Sequence, residues 1–100
     1  MGLFRDVLSS MFGALAPWTR VQVENQLSTM AAQNPEKLDW RNSVVDLTKL
    51  LGLDSSLGGR KELARRLGYR GVLDGSAAMN IWLHDQIIAN LAANNGVFRL

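Results

Sequence analysis

Residues 76–96, Ser76-Ala77-Ala78-Met79-Asn80-Ile81-Trp82-Leu83-His84-Asp85-Gln86-Ile87-Ile88-Ala89-Asn90-Leu91-Ala92-Ala93-Asn94-Asn95-Gly96, decide the fold. Asp74 or Ser76 stands where a helix N-cap belongs, and Gly96 marks a stop, so the pattern predicts a helix from Ala77 to about Asn94. Ile81, Leu83, Ile87, Ile88 and Leu91 lie on one side of it, and Met79, Trp82 and Ala89 lie on others. A helix that is apolar on most sides needs neighbours on most sides. This one is therefore expected at the centre of a helical domain.

The rest of the chain reads as helices to surround it. Going back from Ser76, Gly71-Val72-Leu73-Asp74-Gly75 is a loop, and before it Asp54-Ser55-Ser56 opens a helix that Gly68 closes. Leu57, Leu63, Ala64 and Leu67 make its inward stripe. Gly58 and Gly59 fall in its first turns, where each costs roughly 1 kcal/mol relative to alanine. Either backbones approach closely there, or the helix begins after them. Asp39 is expected to cap the preceding helix, with Trp40, Val44, Leu47, Leu50 and Leu51 inward and Gly52 as its stop. Thr19 caps another, carrying Val23, Leu27, Met30 and Ala31 on one face and halted by Asn34-Pro35.

At the start, Leu3, Phe4, Val7, Leu8, Met11, Phe12 and Leu15 recur at helical spacing, opposite Arg5, Asp6, Ser9, Ser10 and Gly13. No stretch alternates at period two. The expectation is one all-α domain of about five helices. It comprises an amphipathic N-terminal helix in residues 1–16, a connector and second helix in 17–37, and a compact three-helix core in 38–96.

Composition narrows the function classes. Apolar residues make up 47% of the 100 residues and charged residues 20%, a globular balance. Eleven bases against nine acids leave a net charge of +2, too little to imply a nucleic-acid partner. With no cysteine there is no disulfide, thiolate metal site or thiol nucleophile. No apolar run approaches the roughly 18 residues of a membrane span, and no secretory signal pattern opens the chain, so the expected location is cytoplasmic. Met1-Gly2 is followed by Asp6 where a myristoylation signal wants serine or threonine.

The polar inventory does not assemble into catalytic machinery. His84 is the single histidine, and Asp85 projects about 100° away from it around a helix. Nothing places Ser55, Ser56 or Ser76 beside a base, and all three read first as caps. A lone histidine with scattered carboxylates is not a metal set, and Leu57-Gly58-Gly59-Arg60 lacks the spacing of a phosphate loop. The reading is a protein with no enzymatic activity and no cofactor or metal.

Three residues interrupt apolar stripes: Arg60, and Asn80 with His84 four positions on. Buried polar groups must find partners, because leaving one unpaired costs on the order of 1–3 kcal/mol. They are expected to form a polar cluster in which Asp46 or Asp54 pairs with Arg60. Its structural role is to fix how three helices meet; its functional alternative is a binding pocket. Lys61, Arg65, Arg66 and Arg70 form a basic surface with Glu62 as the local acid. A solvated face is the plainer reading, and nucleic acid is an unfavoured partner.

From Leu38 to Asn95, the motifs Asp54-Ser55-Ser56-Leu57, Arg60-Lys61-Glu62-Leu63-Ala64, Leu67-Gly68-Tyr69 and Met79-Asn80-Ile81-Trp82-Leu83-His84 occur in an order and spacing that closely resemble the bacterial family called domain of unknown function 3597. The start, Gly2 to Gly13, is similar to that family's N-terminal helix. The resemblance implies five helices with a flexible connector between the first two, and no known activity. Two departures stand out. The connector is cut to Ala16-Pro17-Trp18-Thr19, and Gly58-Gly59 replaces residues that are more often alanines.

A second likeness covers Val45 to Leu83. Val45-Asp46, Gly52, Asp54-Ser55-Ser56, Arg60-Lys61, Leu63-Ala64, Gly68, Gly71 and Asn80 resemble a C-terminal segment of some cell-wall amidases. Peptidoglycan is therefore a candidate partner, and exposed Trp18, Tyr69 and Trp82 would favour it. The first reading remains a protein-interaction module. Its candidate face is Leu3, Phe4, Val7, Leu8, Met11 and Phe12, for packing on its own domain, then on another copy or another protein, and last on a lipid surface.

Overall fold

The computed structural model describes residues 17–100, and the amphipathic segment of residues 1–16 lies outside the described residues. Four helices follow in order: α1 (Arg20–Gln33), α2 (Val44–Leu50), α3 (Leu57–Leu67) and α4 (Ala77–Ala93). No strand occurs among the described residues, so the fold is all-α. Of the five helices expected, the four that fall within the described part are present.

Each helix starts on a hydroxyl. Thr19, Ser43, Ser56 and Ser76 accept from the backbone N–H groups of Gln22, Asp46, Gly59 and Met79 at 3.2, 3.1, 3.1 and 3.3 Å. These contacts satisfy donors that a helix start otherwise leaves unpaired. At Thr19 the cap is reciprocal, since Gln22 Oε1 accepts from the Thr19 N–H at 2.8 Å. Ser43 replaces Asp39 as the cap of α2. The Asp39 carbonyl instead accepts from Ser43 N–H at 2.9 Å and closes a single turn, so Trp40 precedes the helix rather than opening it.

Two of the ends are alike too. Gly52 and Gly68 take left-handed φ values of 71° and 96° after α2 and α3. Leu53 and Tyr69 then donate back to the Thr48 and Ala64 carbonyls at 2.8 and 2.9 Å. This six-to-one closure is easiest with glycine at the turning residue.

Helix α4 touches α1, α2 and α3, which confirms its central place. It buries Met79, Leu83, Ile87, Ile88 and Leu91 against Val44, Leu47, Leu50, Leu63 and Ala64. Val23 and Leu27 of α1 are as deeply buried as any of these, so the core is built from four helices rather than three. Thr48, the buried polar residue, satisfies its hydroxyl on the Val44 and Val45 carbonyls.

Two stripe assignments fail. Leu57 and Ile81 stand 45% and 65% exposed where the periodicity put them inward. Leu57 is the first residue of α3, whereas Ile81 projects about 160° round α4 from Met79 and Leu83, which are fully buried.

Candidate functional site

The polar cluster forms in part. Arg60, on the second turn of α3, donates from Nη1 to Asn80 Oδ1 of α4 at 2.7 Å and from Nε to the Ser55 carbonyl at 3.1 Å. Asn80 passes the connection on, donating from Nδ2 to the Gly75 carbonyl at 3.2 Å. One chain of contacts thereby joins the turn before α3, the loop before α4 and the two helices themselves. All three side-chain contacts are half-buried, where hydrogen bonds to a charged group are stronger than neutral ones.

Neither expected carboxylate joins Arg60. Asp46 reaches backward and accepts from Asp39 N–H at 2.8 Å, bracing the turn before α2. Asp54 accepts from Ser56 N–H at 2.9 Å. Asp74 does the same for Ser76 two residues on, also at 2.9 Å. The two loops thus share one device, an aspartate that folds over the serine capping the next helix. Hydrogen bonds from the Ser56 hydroxyl, and then its N–H, hold Asp54 below its ordinary value of 3.8. For Asp74 the Ser76 N–H is the larger cause of a shift in the same direction, the Ser76 hydroxyl the next, with a smaller contribution from the Lys61 charge.

Asp54 also explains a glycine. A Cβ added at Gly59 would overlap the Asp54 carboxyl group, whereas one at Gly58 would meet open space. Neither expected alternative holds: the helix begins at Leu57, before the pair, and what approaches Gly59 is a side chain rather than a second backbone.

His84 lies one turn beyond Asn80 but bonds elsewhere. Its Nε2 is 2.6 Å from the Trp40 carbonyl. A carbonyl only accepts, so Nε2 is the protonated nitrogen in this contact. The bond ties α4 to the turn before α2. Between these two elements runs a groove of about 270 Å³, lined by Arg41, Asn42, Val44, Asn80, Ile81, His84 and Asp85. Arg41 is held at its edge, with its guanidinium 4.4 Å from the Trp40 ring centroid and 3.4 Å from Glu24 Oε1.

The backbone acceptors of the cluster, Ser55, Gly75 and Trp40, had no signal in the sequence, because every residue carries a carbonyl. Asn90 was also missed. It donates from Nδ2 to the Arg99 carbonyl at 2.5 Å and accepts from the Arg99 N–H at 2.9 Å.

The basic surface is partly neutralised. Arg65 makes two hydrogen bonds to Glu62, at 3.0 and 2.5 Å. That pairing lowers Glu62 and raises Arg65 from their ordinary values. Arg66 and Arg70 are exposed and Lys61 is half-buried.

The three aromatics are half-buried and packed on the core rather than displayed. Tyr69 and Trp82 lie against one another, ring centroids 4.9 Å apart. Leu3, Phe4, Val7, Leu8, Met11 and Phe12 lie outside the described residues. Among the described residues no three histidine, aspartate or glutamate side chains converge, and no helix is long and apolar enough to cross a membrane.

No curated protein and no solved structure matches this chain. A family model does, over residues 8–98, which include the capped helices and the Arg60–Asn80 contact described above. The chain belongs to the family described as domain of unknown function DUF3597.

Proposed function

We propose that this chain is a non-catalytic protein-interaction module, with a contact face where the start of α3 meets the loop and first turns of α4. The observation that carries this reading is Ile81, 65% exposed on a helix whose other large aliphatic residues are almost fully buried. Leu57 and Val72, 45% and 73% exposed, come from the adjoining segments. Leu57 Cδ1 occupies the space that a Cβ on Gly75 would need, which places Leu57 against the loop before α4. Single exposed aliphatics are ordinary on any surface. Three from one junction, beside a groove whose Asn80 and His84 are engaged within the chain, support a surface for contact rather than for chemistry.

The N-terminal residues Leu3, Phe4, Val7, Leu8, Met11 and Phe12 would extend the apolar surface available to a partner or to a second copy.

The test is a photo-reactive amino acid placed at position 81, with position 29 on the exposed side of α1 as control. The expected result is a discrete protein adduct from position 81 that disappears with Val72→Lys. No adduct beyond the control, together with retention on purified peptidoglycan or steeply salt-dependent binding to duplex DNA, would overturn the reading.

A further inference from the structure

The open side of α1 carries a groove of about 400 Å³, lined by Trp18, Gln22, Asn25, Gln26, Thr29 and Met30. Trp18 and Met30 are half-buried. Three of the polar residues between them turn their hydrogen bonds back into the chain. Gln22 Oε1 accepts from the Thr19 N–H at 2.8 Å, and the Thr29 hydroxyl donates to the Asn25 carbonyl at 3.0 Å. Gln26 donates from Nε2 to the Gly96 carbonyl at 3.1 Å and lies 3.9 Å from the Met30 sulfur. Covering polar groups that already have partners costs little. What the groove then offers is the Trp18 ring, the Met30 thioether and the aliphatic parts of the side chains between them, which suit an apolar occupant.

The point where the chain enters the core identifies that occupant. The Trp18 N–H donates to the Ala92 carbonyl at 2.7 Å, so residues 1–16 are tethered at the edge of this groove. Their connection to α1 is Ala16-Pro17-Trp18-Thr19. Helices joined by so short a loop lie antiparallel as neighbours. At 1.5 Å per residue, Leu3 to Leu15 would span about 20 Å as a helix, against about 21 Å for the 14-residue α1. Counting back from the loop sets Phe12, Leu8 and Phe4 opposite Gln22, Gln26 and Met30. All three belong to the apolar side of the segment, and all three opposite positions line the groove.

We propose that residues 3–15 dock in this groove as a helix antiparallel to α1, so that a partner reaches their apolar face only by displacing them. The inference stands apart from the contact face at Ile81. It needs no partner and is read on α1, so either can fail without the other.

The chain has no cysteine, so a nitroxide can be attached at one chosen position. Ser9→Cys puts the label on the polar side of the segment, where it does not obstruct docking. In the full chain, paramagnetic broadening should remove amide signals centred on Asn25 and Gln26. Moving the label with Arg5→Cys should shift that centre towards Thr29 and Gln33, as the antiparallel direction requires. Dilution should leave both patterns unchanged. Leu8→Asp, which alters none of the residues of the four-helix core, should restore the signals in either labelled chain.

Broadening spread evenly around Trp18, centred on another face, or indifferent to Leu8→Asp would overturn the proposal. So would broadening of an isotope-enriched chain mixed with a nitroxide-labelled one, because the groove's occupant would then be a second copy.

Discussion

Arg60 illustrates how a residue can be identified from sequence while its partners are not. Its place on an apolar stripe correctly marked it as needing hydrogen bonds, and Asn80 was correctly grouped with it. The supposed carboxylate partner was wrong, because Asp46 and Asp54 are already engaged by nearby backbone N–H groups. A guanidinium satisfied by an amide and a carbonyl retains its charge with partial solvent contact, and needs no buried ion pair. Asn80→Ala removes an acceptor from Arg60 and a donor from Gly75 at once. The expected loss is about 1–3 kcal/mol, measured as a fall in urea stability with an unchanged denaturant slope. The two loop aspartates give a pH signature. Their folded values are lowered by the Ser56 and Ser76 hydrogen bonds, so the folded state favours their charged forms. Their contribution is present above the ordinary value of 3.8 and is lost as the pH falls through the lower folded values. Urea midpoints followed between about pH 5 and pH 2 should drop for the wild type, and drop less for Asp54→Asn with Asp74→Asn.

Individual elements show where local rules suffice. The hydroxyl caps and glycine stops work over three to six residues of chain, so Thr19 and Gly68 were read correctly from their immediate neighbours, while Asp54-Ser55-Ser56 marked the start of α3 without singling out Ser56. Asp39 and Ser43 competed for one helix start, and both are good caps. Ser43 prevailed because Asp39's N–H is held by Asp46, and its carbonyl closes a separate turn that buries Trp40. The adjacent glycines of α3 offer a direct comparison. Gly58→Ala should stabilise the chain by up to about 1 kcal/mol, since its Cβ meets nothing and the helix gains propensity. Gly59→Ala should lose that benefit and more, because the new methyl displaces the Asp54 carboxyl from Ser56. Thermal midpoints of the two variants, compared at one pH, should move in opposite directions. Gly68→Ala should cost about 1 kcal/mol or more by the same measurement, given its φ of 96°.

At the scale of the molecule, α4 holds the other helices together. Leu83 is fully buried on the helix that touches α1, α2 and α3. Leu83→Ala should cost about 2–5 kcal/mol, a large part of the stability of a domain this small. Circular dichroism and tryptophan fluorescence should then report a single shared transition at lower denaturant, rather than the separate loss of one helix. Ile81→Lys, two positions earlier, should change stability by no more than about 0.5 kcal/mol. That contrast between near neighbours is also the clearest division between what sequence and structure each decide. Cap residues, glycine stops and the all-round apolar character of residues 77–93 determined by themselves that the chain is helical, where its helices end and which one is central. These properties depend on contacts along the chain or on total apolar content. Burial of Val23 and Leu27 in the main core and exposure of Leu57 and Ile81 were decided only by tertiary structure. Periodicity groups side chains by face, but does not show which part of that face the neighbouring helices cover.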